Sequence, residues 1–135
     1  MKTKELAKAF VAIMDSEDYE PAKQFLAKDC IYKVGDKIHK GTKAILKTYK
    51  EHHDFAKSTF DSVVYKSELS QISDNEFEVT YIDIITYGQK THTYKCKQFF
   101  NLNSENKINE IIHEDIPGEY QRIKSFYEEI GLQRL

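Results

Sequence analysis

The chain has 135 residues, of which 31% are charged, and a net charge of −2. That length suffices for a single domain over residues 1–135, with a core that needs no disulfide or metal. No basic excess favours nucleic acid as a partner, and the apolar runs are too short for a membrane span or a signal peptide. The two cysteines, Cys30 and Cys96, indicate no disulfide scaffold or metal knuckle, so we expect a cytoplasmic protein.

The first third of the chain predicts helices. Apolar residues recur at helical spacing over residues 3–14, which favours an amphipathic helix. A break at "DSEDYEP" is followed by a second, short helix, with Ser16 or Asp18 as its predicted cap. The stretch "DCIYKV" then reads as a strand, and "GDKIHKG" as a loop that could hold a short strand. Thr42 is the predicted cap of a third helix.

The rest of the chain changes to the period of two that is typical of strands. Three long strands are predicted over about 59–72, 76–87 and 91–102, separated by good turn residues. A fourth strand over 107–115 leads into a final helix over Pro117–Gly131. This order predicts an α+β fold. Because long strands twist and curl, we expect a strongly curved antiparallel sheet wrapped around the N-terminal helices, with a conical cavity and an extra C-terminal helix.

One stretch carries a family resemblance. Residues Phe25–Tyr49, "FLAKDCIYKVGDKIHKGTKAILKTY", have the form F-x-x-D-x-x-apolar, a short loop, then K-G-x-x-A-I before a helix. Together with the element order, this stretch resembles the nuclear transport factor 2-like superfamily, which includes SnoaL-like polyketide cyclases and ketosteroid isomerases. The resemblance implies a SnoaL-like domain with an internal ligand pocket and no need for a cofactor.

The known chemistries of that superfamily do not transfer to this chain. Ketosteroid isomerases use a helix Tyr and two Asp residues, and the resemblance maps these onto Phe10, Gln98 and the neighbourhood of Val34. The Asp-Arg-Asp machinery of limonene epoxide hydrolases also fails, because the only arginines are Arg122 and Arg134, in or after the final helix. Whether the chain is an enzyme therefore stays open.

The resemblance also assigns strand faces, and with them the candidate catalytic residues. Asp83 is the strongest of these, since a carboxylate between aliphatic and aromatic neighbours needs a partner or a raised pKa. An inward His113 beside Asp83 or Asp115 would form a base-and-orienter pair able to move a proton. The structural alternative is a buried His–Asp hydrogen bond. Predicted to face the pocket are Tyr81, Asp83, Ile85, Tyr94, Cys96, Gln98, Phe100, Ile111, His113 and Asp115.

Several of these side chains, with one from an earlier strand, are predicted to hold the ligand, which we expect to be apolar or aromatic. Tyrosine hydroxyls and an amide could orient such a ligand, although tyrosines of this kind are more often core residues with a wet tip. Asp115 has a competing role, which is to stabilise the start of the final helix. The predicted ligand-binding residues are Tyr32, Tyr81, Tyr94, Gln98, Ile111 and Asp115.

The opposite face of the sheet mixes apolar and charged side chains, and an apolar patch seldom stays exposed. We therefore expect a homodimer formed through this outer face. The residues assigned to it are Thr80, Ile82, Ile84, Thr86, Lys95, Lys97, Phe99, Ile112 and Glu114. No metal is expected, since the adjacent His52 and His53 lack the i, i+4 spacing of a zinc helix.

Two functions remain compatible with these observations. The first is binding of a small molecule. In this case the protein could also be a cofactor-independent isomerase, cyclase or dehydratase that uses Asp83 and His113 as acid–base residues. The second is a non-catalytic protein of the same fold that carries a ligand or contacts another protein, since fold alone does not decide function.

Overall fold

The computed structural model describes residues 2–132. The helices are α1 (Thr3–Asp15), α2 (Tyr19–Ala22, continued by a 3-10 turn at Lys23–Phe25), α3 (Thr42–Thr59) and α4 (Glu119–Glu129). The strands are β1 (Leu26–Val34), β2 (Lys37–Lys40), β3 (Ser62–Gln71), β4 (Glu76–Tyr87), β5 (Lys90–Leu102) and β6 (Ile108–Asp115). None of the described helices is long and apolar enough to cross a membrane.

All six described strands form one curved sheet in the order β2-β1-β6-β5-β4-β3. Neighbouring strands are antiparallel, except that β1 lies parallel to β6. Register shifts interrupt the β1–β6 and β5–β6 pairings, and such irregularities bend a sheet locally. The predicted α+β architecture, with a curved sheet and an extra C-terminal helix, is confirmed.

Three predicted element boundaries are wrong. Helix α3 starts at Thr42, and the residue in the cap position is Gly41, whose φ of 88° favours glycine. The same helix continues to Thr59, where a strand was expected, because its last turns pack Phe55 and Ala56 against a second apolar cluster. Helix α4 starts two residues after Pro117, with Gly118 at its cap.

Two apolar clusters fill the interior of the fold. The larger one joins α1 and α3 to the sheet, with Phe10 of α1 packing edge-on against Phe100 at 5.4 Å between ring centroids. The smaller one joins α4 to the end of α3 and the start of β3, and its fully packed members are Phe60, Ile85, Phe126 and Tyr127. Helix α4 therefore covers one end of the concave face.

Candidate functional site

Polar side chains cross the concave face between the two apolar clusters. Strand register aligns them in rows, of which one pairs Asp83 with Tyr94 and another pairs Gln98 with His113. The ten side chains predicted to point inward share one face of the sheet in this register. We call the polar ones, with their neighbours on β1, β3 and α3, the polar belt: Tyr32, Tyr49, Tyr65, Tyr81, Asp83, Tyr94, Cys96, Gln98, His113 and Asp115.

Gln98 lies at the centre of a buried hydrogen-bond network. The Tyr49 hydroxyl donates to Gln98 Oε1 at 2.5 Å, and Gln98 Nε2 donates to the Tyr32 hydroxyl at 2.9 Å. The rings of Tyr32 and Tyr49 stack at 5.3 Å between centroids. Since Gln98 is only 3% exposed, its amide would be costly to bury without these partners. This part of the belt is filled by its own side chains.

The network continues to the protein surface through His113. Gln98 Nε2 lies 3.5 Å from His113 Nδ1, and His113 Nε2 lies 2.9 Å from Asp115 Oδ1. An Nε2–H tautomer satisfies both contacts, because Nδ1 then accepts from the amide and Nε2 donates to the carboxylate. The His113 side chain is 17% exposed and that of Asp115 is 70% exposed. Asp115 therefore contacts His113 at the rim, and no side chain caps the N-terminus of α4.

Asp83 occupies a different part of the belt. It lies opposite Tyr65 on β3 and Tyr94 on β5. Burial raises the pKa of its carboxyl group to about 6, and the charge of Asp15 adds to the rise. No hydrogen bond from the described residues offsets this shift, so the Asp83 carboxyl group gains or loses its proton near pH 6.

Asp15, the second carboxyl group, was not among the predicted site residues. It ends α1, and its Oδ2 accepts a hydrogen bond of 2.7 Å from the Ser67 hydroxyl. Burial raises its pKa, and the Ser67 hydrogen bond partly offsets the rise. A signal for it exists in the sequence, since Ala7, Val11 and Asp15 follow each other at intervals of four on the buried stripe of the helix. The aspartate simply continues that stripe.

Two tyrosine hydroxyls of the belt lack partners. The hydroxyl oxygens of Tyr65 and Tyr81 are buried, yet neither forms a hydrogen bond within residues 2–132. Tyr81 is the cross-strand neighbour of Ser67, which holds Asp15, and Tyr65 is the neighbour of Asp83. Buried polar groups in proteins are usually satisfied. The carboxyl half of the belt therefore offers hydrogen-bonding capacity that the protein itself does not use.

A cavity of about 450 Å³ adjoins this half of the belt. It lies between the end of α1, the end of α3 and the first residues of β3. We call it the acidic cleft, and it is lined by Asp15, Glu17, Lys57, Phe60, Asp61, Ser62, Val63, Val64 and Tyr65. Asp15 and Tyr65 thus belong to the cleft and also neighbour Asp83, whereas His113 and Asp115 do not line it.

The comparisons with known proteins bear on the fold. No family model matches the chain, and no curated protein matches it. Among solved structures, a protein assigned as a SnoaL-like polyketide cyclase from Shewanella denitrificans has a TM-score of 0.70 at 11% identity, covering 94% of this chain and 97% of that one. An LEH-like epoxide hydrolase from M. tuberculosis has a TM-score of 0.64 at 12% identity, covering 96% of both chains.

The chain has the nuclear transport factor 2-like fold. A de novo designed protein with a curved β-sheet shares it, with a TM-score of 0.63 at 15% identity, covering 94% of this chain and 95% of the designed one. These identities establish the fold alone, and one fold supports many functions. Function has to be inferred from the side chains of the belt.

Within this nuclear transport factor 2-like fold, the two predicted catalytic residues do not meet. Asp83 and His113 are two strands apart and four residues apart along the strand direction, which corresponds to about 9 Å and about 13 Å. The nearest carboxylate of His113 is Asp115, while Asp83 interacts with Asp15. Among the described residues, no group of three or more His, Cys, Asp or Glu could hold a metal ion.

Proposed function

We propose that the protein binds a mainly apolar small molecule against the carboxyl half of the polar belt, with Asp83 as an acid–base group. The observation that carries this proposal is a buried carboxyl group of raised pKa, beside a second carboxyl group and two unpartnered tyrosine hydroxyls. A ligand with one or two polar groups on an apolar body would satisfy these hydroxyls. The cavity beside Asp15 supplies space for it.

The chemistry open to such a site is proton transfer. An ionised Asp83 could take a proton from the carbon next to a carbonyl group and return it to another position, which isomerises the ligand without a cofactor. Tyr81 lies two residues before Asp83 on β4 and Tyr94 lies opposite Asp83 on β5, so their hydroxyls could donate hydrogen bonds to the carbonyl oxygen of such a ligand.

Proton transfer can be tested before the natural ligand is known. The protein is incubated in D2O with a panel of cyclic ketones and enones, and exchange of their α-protons is followed by NMR. We expect catalysed exchange with at least one compound and a loss of 10²-fold or more in Asp83→Asn. Glu68→Gln is the matched control, since Glu68 is an exposed carboxylate on the neighbouring strand and should leave the rate unchanged.

A non-catalytic role is the second candidate. The side chains of Tyr32, Tyr49 and Gln98 fill one half of the belt and satisfy each other, as expected of a structural or adaptor protein rather than an enzyme. If no compound exchanges faster with the protein than without it, while native mass spectrometry detects a bound small molecule, the carrier function replaces the enzymatic one.

We also propose that two copies pair through the outer face of the sheet. Support comes from apolar side chains on that face, of which Val64 is 45% exposed and Ile112 is 37% exposed. Sedimentation of wild type, Ile112→Glu and Tyr120→Glu tests this pairing. Tyr120, exposed on α4 and so away from the outer face, is the control. A dimer that dissociates only in Ile112→Glu is expected, and a monomeric wild type would contradict the proposal.

A further inference from the structure

The residues that line the acidic cleft hold more acceptors than donors. Asp15, Glu17 and Asp61 contribute carboxylates, and Lys57 is the one basic residue among the lining side chains. Lys57 Nζ lies 2.5 Å from Glu17 Oε2, so the positive charge of Lys57 is already compensated by Glu17. The cleft therefore presents a net negative charge to whatever enters it.

The three carboxylates differ in how they are compensated. Glu17 has the Lys57 ammonium group, and Asp61 Oδ2 accepts the backbone N–H of Gly88 at 2.6 Å. Asp15 has a hydroxyl group, that of Ser67, which carries no charge. Among residues 2–132, Asp15 and Asp61 thus both lack a cation. Asp61 is exposed, whereas Asp15 is half-buried and has Asp83 as a neighbour, which adds a further negative charge when ionised.

Two other cleft residues carry buried oxygens that have no hydrogen-bond partner among residues 2–132. Glu17 Oε1 is one, with His53 Nδ1 no nearer than 4.0 Å, and the Tyr65 hydroxyl is the other. Both can accept hydrogen bonds. This observation is independent of the charge count, and it indicates the same kind of occupant, a group that donates several hydrogen bonds.

The remaining walls of the cleft are apolar and aromatic. Phe60 and Tyr65 are the aromatic residues of the lining, and Val63 and Val64 are the aliphatic ones. Aromatic faces attract organic cations as well as apolar bodies. Carboxylates and aromatic residues in one lining therefore favour a ligand with an ammonium group on an apolar body.

We infer that the acidic cleft binds a primary or secondary amine carried on an aromatic or aliphatic body, with Asp15 as its counter-ion and Glu17 and Tyr65 as further hydrogen-bond acceptors. This inference rests on the proposed function in placing the ligand beside Asp83. It adds the chemical class of the ligand and the side from which the ligand reaches that residue.

The test compares three probes of similar shape and different charge: 2-phenylethylamine, 2-phenylethanol and 3-phenylpropionate. Each is titrated into 15N-labelled full-length protein, and NMR shift changes give both affinity and location. We expect the amine to bind at least tenfold more tightly than the alcohol, the carboxylate not to bind, and the shifts to centre on residues 15–19 and 60–65. Added salt should weaken amine binding.

Variants then assign the counter-ion. Asp15→Asn should weaken amine binding at least tenfold, whereas Asp18→Asn, an exposed aspartate of the same turn, should change it less than twofold. Asp83→Asn alters no lining residue of the cleft and leaves Asp15 in place, so it should weaken amine binding less than Asp15→Asn does. Loss of ketone exchange in Asp83→Asn with amine binding retained would separate the two proposals.

Equal binding of all three probes, or binding of none, would overturn the amine inference. So would amine binding that Asp15→Asn leaves unchanged. If Asp15→Asn fails to fold, the comparison of the three probes on wild-type protein decides by itself.

Discussion

Replacing Asp83 by Asn should stabilise the protein at neutral pH and lose that effect in acid. The unfolded chain releases this proton near pH 3.8, while the folded protein holds it up to a pKa of about 6. Between these values the folded state binds more protons than the unfolded state, so stability falls as pH rises. Asparagine does not ionise, so the stability of Asp83→Asn does not fall in this way as pH rises.

The size of the effect follows from the shift in pKa. Each pKa unit corresponds to about 1.4 kcal/mol. A rise from 3.8 to about 6 therefore destabilises the wild type by about 3 kcal/mol at pH 7.5 relative to a protonated Asp83. Most of that loss is absent at pH 4. For a domain whose total stability is roughly 5–15 kcal/mol, such a difference is easy to measure.

Urea unfolding followed by circular dichroism at several pH values between 4 and 8 provides the assay. The difference in unfolding free energy between Asp83→Asn and wild type should grow by about 2–3 kcal/mol from pH 4 to pH 7.5. Glu68→Gln should show no such trend, since Glu68 is exposed. A difference that does not vary with pH, or an Asp83→Asn protein less stable than wild type at pH 7.5, would refute the reasoning.

Three further predictions concern stability and use the same unfolding assay. Gln98→Leu leaves the Tyr32 and Tyr49 hydroxyls unpaired and should cost about 1–3 kcal/mol for each, whereas the exposed Gln121→Leu should cost little. Phe126→Ala opens the smaller apolar cluster and should cost about 3–5 kcal/mol, against less than about 1 for the exposed Tyr120→Ala on the same helix. Gly118→Ala should cost more than Gly88→Ala, because both have positive φ but only the former would push the Arg122 guanidinium, 2.8 Å from the new Cβ atom, away from its ion pair with Glu119. Equal losses within any of these pairs would contradict the packing described above.

Sequence periodicity predicted the fold because alternation along a strand determines which face each side chain occupies. The family resemblance, rather than periodicity, assigned Asp83 and Gln98 to the inward face, and the register puts them on the same face of neighbouring strands. The order of the strands in the sheet was harder to predict from the sequence. The parallel pairing of β1 with β6 joins residues about 80 positions apart, such as Tyr32 and Ile111, and no local pattern encodes it.

The site was harder to predict than the fold, because its contacts join distant segments. Tyr49 and Gln98 are 49 residues apart, and Ser67 and Asp15 are 52 apart. Asp15 is the first residue of a stretch whose composition predicts a helix break, and its burial was therefore not predicted. His113 was correctly placed beside Asp115, one of the two partners considered, yet its distance from Asp83 depends on the register of three strands.

A crystal structure of protein purified without added ligand tests the proposed site most directly. Electron density beyond that of water, lying against Asp15 and Asp83 with contacts to the Tyr65 or Tyr81 hydroxyls, is the predicted result. It would show the outline of the natural ligand and justify exchange measurements on Asp83→Asn. Side chains that close over Asp15 and Asp83, and pair the two hydroxyls with each other or with the carboxylates, would contradict the proposed site.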